Sequence, residues 1–316
     1  MDDEAAAFFA DTSRLKPSGL DAWRGRIGAF AAAAAARGER VALVTSGGTT
    51  VPLEAKTVRF IDNFSSGTRG ALCTEALLAR GYAVVFLHRR GSNFPFVSDL
   101  VRCLHEDPLQ LVAGGGRAPA PAPPSLEGRL LPVPFTTIFD YLFLLREACL
   151  GVAEVGAAAT VLLAAAVSDF YVPEREMATE KIQSRACDGL SIQLRNVPKL
   201  LGAVKECWAP QAFVVSFKLE TNVNILMAKA AGALKKYGVD AVCSNQLQTI
   251  RDVVTLVWRD PGAAEVAIAA GAIGGEEAAP VAVRGVCSRV IERGARALIE
   301  PLLVDAVAEM HGAYAG

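Results

Sequence analysis

Aromatic residues make up only 7% of these 316 residues, histidine occurs three times, and neither sign of charge prevails: 32 Lys and Arg stand against 33 Asp and Glu. A balance of −1 lacks the basic surplus that a general nucleic-acid binder or a polybasic membrane anchor needs, so both classes drop out. Long hydrophobic runs are missing too. The longest, Val155 to Val167, falls well short of the roughly 20 residues required to cross a bilayer, and Phe30 to Ala36 is shorter and flanked by Arg26 and Arg37. The opening Met1-Asp2-Asp3-Glu4 is the opposite of a basic signal-peptide start, and the expectation is a soluble, cytoplasmic protein. Cys73, Cys103, Cys149, Cys187, Cys207, Cys243 and Cys287 form no Cys-x-x-Cys pair, and His88, His105 and His311 are equally dispersed. No zinc frame, disulfide scaffold or other protein metal site is expected from that spacing.

What is abundant is alanine and the aliphatics, within a hydrophobic share of 52% that suffices for a sizeable core. Residues 1–40 read as a helical lead-in, and 41–316 as a single α/β domain. Val41–Ser46, Tyr82–Leu87, Val161–Val167, Phe213–Phe217 and Asp240–Ser244 read as short buried strands. Helical spacing fills Ala71–Arg80, closed by Gly81, and Phe135–Leu150. Strands that alternate with helices imply right-handed crossovers and a mainly parallel sheet covered on both faces. Residues 113–134, rich in Gly, Pro and Ala, read as a surface insertion that sustains neither helix nor ladder. Residues 182–195 break the rhythm: Ile182-Gln183-Ser184 and Leu190 to Leu194 flank Cys187-Asp188-Gly189, a hairpin signal. Such a hairpin would protrude as a homodimer arm, or else lie as an exposed flap of the same chain.

Open α/β sheets bind ligands beyond the carboxyl ends of their strands, where the strand order reverses. Here those positions are small and polar. Ser46-Gly47-Gly48-Thr49-Thr50 follows the first strand and lets backbone amides approach an anion, but no Gly-x-Gly-x-x-Gly is present, which counts against a nicotinamide or flavin enzyme. In Asn63-Phe64-Ser65-Ser66-Gly67-Thr68-Arg69-Gly70, Ser65 or Ser66 is expected to cap the next helix, while Gly67 and Gly70 free the backbone to wrap phosphate. An ordinary N-cap is the plainer alternative, with Asn63 tilting the balance towards a site. Ala164-Ala165-Ala166 leave room for a ligand against the backbone, and Asp169 either accepts from it or caps a turn. Lys181 is a loop lysine of interest only through its neighbours. Phe217 packs on a base or in the core, and Asn245 reads a base edge or forms a turn.

Val44 to Thr49, Val51-Pro52-Leu53-Glu54, Val58 to Gly67, Ala164 to Pro173, Lys181 to Ser184, Val197 to Leu201 and Ser216 to Thr221 together resemble the phosphopantothenoylcysteine synthetases, in the stand-alone eukaryotic form, over residues 41–245. The resemblance implies a Rossmann-like three-layer fold with a protruding β-hairpin dimerisation arm. It implies a ligase that joins 4′-phosphopantothenate to L-cysteine through an acyl-nucleotide, as a step of coenzyme A biosynthesis. ATP, rather than the CTP of bacterial fused forms, is the expected co-substrate, with Mg2+ carried on the triphosphate. Gly47, Ser65, Gly67, Gly70, Phe217 and Asn245 correspond to the nucleotide set. Asn63 corresponds to the phosphopantothenate site, with Ala165, Ala166 and Asp169 supplied across a homodimer. Lys181 corresponds to a family lysine tied to conversion of the acyl-nucleotide. A catalytically silent binding subunit is the competing reading within the family.

Overall fold

A computed structural model describes residues 3–97, 126–183, 189–220, 223–246, 248–260, 266–268, 281–283, 285–295 and 298–316. Eight strands, β1 (Val41–Ser46), β2 (Ala83–Arg89), β3 (Leu130–Phe135), β4 (Ala159–Leu163), β5 (Phe213–Glu220), β6 (Ala241–Gln246), β7 (Val253–Arg259) and β8 (Val286–Glu292), form one sheet in the order β8-β7-β6-β5-β4-β1-β2-β3. The first six run parallel; β7 is antiparallel to both β6 and β8. The helices longer than two turns among the described residues are α1 (Asp3–Asp11), α2 (Leu20–Ala36), α3 (Thr68–Ala79), α4 (Ile138–Val152), α5 (Val223–Tyr237) and α6 (Glu300–Ala315).

Continuous apolar runs make these strands because both faces are covered, and successive side chains enter opposite cores. Val41 and Leu43 of β1, Val85 of β2, Val161 of β4 and Val214 of β5 meet Ile27 and Ala31 of α2, Ala148 of α4 and Leu234 of α5. Their neighbours Ala42, Val44, Val84, Leu162 and Val215 meet Leu77 of α3 and Leu303 and Val307 of α6 on the other face. The result is the expected three-layer α/β architecture. Gly81, at φ +83°, ends α3 as the sequence indicates: its amide and that of Tyr82 donate to the carbonyls of Leu78 and Leu77. No helix among the described residues is long and apolar enough to cross a membrane.

Two expectations need correction or restriction. Leu130–Pro134, five of the six residues of β3, fall in the segment 113–134 expected to form no ladder, and Phe135, expected to open a helix, ends the strand. The amides of Val84 and Arg90 donate to the carbonyls of Arg129 and Phe135, so odd-numbered positions face β2. Pro132 and Pro134 therefore turn their missing N–H away from the neighbour, and an edge strand tolerates both. Residues 113–125 lie outside the described residues. So do 184–188, the turn of the expected hairpin arm. Residues 189–194 form no strand, and Arg195–Asn196 pairs with Phe170–Tyr171.

His311 of α6 has no exposed surface. Its Nε2 lies 2.9 Å from the Ala157 carbonyl and must donate, which leaves Nδ1 to accept from the Tyr82 hydroxyl at 3.0 Å. Burial, aided by the charge of Arg40 and opposed by the Ala157 bond and Asp240, holds its pKa below the ordinary 6.5. Burial lowers His88 likewise, at the end of β2. A histidine with a depressed folded pKa binds fewer protons folded than unfolded, so its contribution is complete above the unfolded pKa and is lost as pH falls. The urea midpoint should drop between about pH 7.5 and about pH 5.5, and less steeply in His311→Gln. Parallel slopes for the two proteins would remove His311 from the account.

Candidate active site

The strand order turns from one direction to the other between β1 and β4, and the loops that leave those two strands are laced together. The Ala166 amide donates to the Gly47 carbonyl at 2.8 Å, and the Thr49 amide returns to the Ala166 carbonyl at 3.0 Å. Thr45 Oγ1 accepts from the Ala165 amide at 3.1 Å, and Thr49 Oγ1 from the Ser168 amide at 3.0 Å. Beyond Thr49, residues Thr50–Pro52 pair antiparallel with Phe60–Asp62. That ribbon delivers Asn63, whose amide donates to the Thr49 carbonyl at 3.1 Å. A Cβ on Gly48 would stand 1.6 Å from the Asn63 carbonyl oxygen, so only glycine lets the two loops meet.

Helix α3 starts three residues earlier than the sequence suggests, and neither serine caps it. Gly67, left-handed at φ +78°, is the N-cap, and no side chain accepts from the first turn. Ser65 Oγ instead accepts from the Gly67 amide at 3.3 Å, and Ser66 bonds Thr68 at 2.9 Å. The physical reason is position: a cap must immediately precede the first helical residue, and αL geometry there requires glycine. The amides of Thr68, Arg69 and Gly70 consequently have no acceptor within the helix, and they sit at its positive dipole end. Gly70 packs on Ser46, where a Cβ would fall 2.5 Å from the serine Cβ, and Ser46 Oγ donates to the Gly67 carbonyl at 2.9 Å. Gly47 lies against Arg89 and Ser92. Asn93 closes the other side: its amide donates to the Ser66 carbonyl and its Nδ2 to Thr68 Oγ1, both at 2.7 Å.

On the β4–β5 side, a cavity of about 590 Å³ opens at the same edge of the sheet. Ala165, Asp169 and Phe217 line it, with Lys199, Lys218, Lys229 and Lys236. Asp169 pairs with Lys199 at 2.5 Å. The wall of the cavity is thus rich in lysine, with Lys199 already paired.

One chain thus brings together Gly47, Asn63, Ser65, Gly67, Gly70, Ala165 and Ala166, with Asp169 and Phe217 on the adjoining cavity wall. Asn245 stands on β6, nearly buried, with Nδ2 donating to the Val253 carbonyl at 3.2 Å. Lys181 is exposed on a segment tied to the turn at residues 54–59 rather than to the glycine cradle. Sequence reasoning passed over Ser92 and Asn93; it quoted Ser46, Lys199 and Lys218 within motifs but gave no role in the site to them, to Lys229 or to Lys236. Ser92 and Asn93 follow β2 and so obey the same rule that located the other loops; the lysines carry no signal of their own.

The family model for the C-terminal domain of the DNA/pantothenate metabolism flavoproteins matches residues 29–95 and 146–266. Phosphopantothenate–cysteine ligase 2 of Oryza sativa is 48% identical over 234 residues, 69% of this chain and 71% of its own length. The human phosphopantothenate–cysteine ligase is 42% identical over 270 residues, 78% of this chain and 84% of its own. Among solved structures, a Cab2 mutant in complex with phosphopantothenate-cysteine superposes with a TM-score of 0.75 at 33% identity, covering 95% of both chains. A family model over more than half of the chain, with relatives this similar across more than two thirds of it, settles the assignment: this chain belongs to the phosphopantothenate–cysteine ligase family.

Proposed function

We propose that this protein joins 4′-phosphopantothenate to L-cysteine in two steps, with ATP as the nucleotide, as a reaction of coenzyme A biosynthesis in the cytoplasm. In the first step the substrate carboxylate attacks the α-phosphorus, an acyl-adenylate forms, and pyrophosphate leaves with the electron pair of the broken P–O bond. In the second, the cysteine amine adds to the acyl carbon, AMP departs, and a proton is released. The observation that carries this reading is the uncapped start of α3, laced against the loops after β1 and β4 and facing the same sheet edge as a lysine-rich cavity. A carboxylate cannot expel oxide, so it needs a phosphate leaving group. Two anions meet only where fixed positive ends offset their repulsion.

Within this reading Gly47, Ser65, Gly67 and Gly70 cradle phosphate, with Phe217 and Asn245 towards the base. Asn63 holds phosphopantothenate without adding charge, beside Ala165, Ala166 and Asp169. Lys181 steadies negative charge as the acyl-adenylate is consumed. Mg2+ would enter as an ion borne by the triphosphate oxygens, where it offsets the charge that the attacking carboxylate meets. Phe60, Phe64, Phe170 and Leu190 are 53%, 89%, 49% and 52% exposed, a cost in water that supports burial against a second copy. A gel-filtration mass of one subunit would remove the homodimer and its arm.

The test is pyrophosphate release with phosphopantothenate, ATP or CTP, and cysteine present or omitted. ATP without cysteine should release about one equivalent per site, and cysteine should restore turnover. Asn63→Ala and Lys181→Ala should each slow product formation by about tenfold to a hundredfold in folded protein. Release with CTP alone would reassign the nucleotide. Its absence with either nucleotide would favour the silent binding subunit.

A further inference from the structure

Glu54 is a carboxylate with no exposed surface, and buried acids persist only when paired and hydrogen-bonded. One oxygen, Oε2, accepts from the amides of Val58 at 3.3 Å and Arg59 at 2.9 Å. The other, Oε1, accepts from Arg59 Nη1 at 2.7 Å and from the Ile182 amide at 3.4 Å. The same guanidinium nitrogen donates to the Ile182 carbonyl at 3.2 Å. Burial works to raise this carboxyl, but the bonds from Arg59, Ile182 and Val58 together hold its pKa below the ordinary value. It is therefore the ionised form that the fold holds in place.

The neighbouring backbone adds to the grip. The amides of Ala55 and Lys56 donate to the carbonyls of Ala178 and Thr179 at 2.8 and 3.3 Å, and the Lys56 ammonium pairs with Glu180. Positions 178, 179, 180 and 182 are all fastened to the 54–59 turn. Lys181 lies between them, and its exposed side chain makes no hydrogen bond or ion pair among the described residues.

We propose that Glu54 and Arg59 are positioning residues for Lys181: they fix the backbone on which the lysine is presented and leave its ammonium to the reaction. This rests on the reading of Lys181 given above. Glu54→Gln keeps the shape of the side chain, yet whichever way the amide turns, one pair of donors loses its acceptor. Arg59→Met removes the guanidinium while Glu54 still accepts from backbone amides, and it serves as the second variant. Both are compared with Lys181→Gln in two assays: pyrophosphate release without cysteine, and product formation with it. Both rates are taken per folded enzyme.

In Glu54→Gln the cysteine-dependent step should slow by about tenfold relative to the first, with acyl-adenylate accumulating as in Lys181→Gln. Joining Glu54→Gln to Lys181→Gln should add little. A merely structural role lowers both half-reactions by the same factor. Equal losses, or none, in Glu54→Gln and Arg59→Met while Lys181→Gln remains slow would overturn the positioning role and leave the lysine reading intact. A Lys181→Gln enzyme as fast as wild type would end the lysine reading and this inference with it. Should Glu54→Gln not fold, Arg59→Met decides alone by the same ratio.

Discussion

Product formation should fall by about 1,000-fold in Gly48→Ala, and the urea midpoint should drop by the equivalent of about 1–3 kcal/mol. The added methyl would begin 1.6 Å from the Asn63 carbonyl oxygen, and real Cβ atoms essentially never come closer than 3.0 Å to such an atom. The carbonyl must therefore retreat by more than 1 Å. It cannot retreat freely, because the Asn63 amide is bonded to the Thr49 carbonyl, and Thr49 is bonded in turn to Ala166. Either the Thr50–Pro52 and Phe60–Asp62 ribbon swings away with Asn63, or the laced loops after β1 and β4 separate. Displacement of about 1 Å at a reacting centre already costs about 100-fold, and this shift is larger and moves two loops. Gly81→Ala is the comparison: φ is +83° there but nothing lies within 4 Å of the added Cβ. It should lose about 1 kcal/mol of stability and keep its kcat/KM. A Gly48→Ala enzyme within threefold of wild type would show that Asn63 need not stand where this structure puts it.

The parts of the molecule that could be read in advance are those whose physical signal is local. Apolar runs such as Val41–Ser46, bounded by glycine and preceded by helical spacing, can satisfy their backbones and bury both faces only in a parallel sheet. In open α/β sheets the loops that follow such strands form the edge where ligands generally bind, which is why Gly47, Gly67, Gly70, Ala165 and Ala166 could be nominated, and the structure gathers them on one rim. What escaped depends on geometry that sequence distance conceals. Pro132 and Pro134 look like breakers until the parity of the β2–β3 ladder turns both towards open space. The αL turn at Gly67 displaced the serines from the capping position by one and two residues. Glu54 belongs to a recognisable string, but its partner Ile182 is 128 residues away, and no local pattern announces that bond. The antiparallel pair β7 and β8 and helix α6 fell beyond the last matching motif, and β8 exposes several of its side chains, so neither periodicity nor resemblance reached them.

Arg69→Met should destabilise the fold by about 3 kcal/mol, the lower end of the range for breaking a buried ion pair because Arg69 retains slight exposure. Its Nη1 lies 2.8 Å from Glu300 Oε1, with the two side chains 15% and 8% exposed, and its Nη2 donates to the Ile250 carbonyl. Methionine keeps the aliphatic bulk but strands a carboxylate in a site that is nearly buried, and it removes a donor from a backbone oxygen. The double variant Arg69→Met with Glu300→Leu should recover to within about 1 kcal/mol of wild type, since an apolar pair can replace a buried ionic one at little cost. Function should not recover with it. Arg69 sits in the first turn of α3, whose amides are the proposed phosphate cradle, while Glu300 opens α6 and Ile250 lies in the connection from β6, just past Asn245. The guanidinium thus bonds all three segments, and the double variant restores packing without restoring the tie to Ile250. Nucleotide KM should rise in both variants while kcat changes less, a split that chemical denaturation and steady-state kinetics read separately. A single variant that loses under 1 kcal/mol would mean that water reaches the pair, and an unchanged nucleotide KM in the double variant would mean that the cradle holds its shape without the strap.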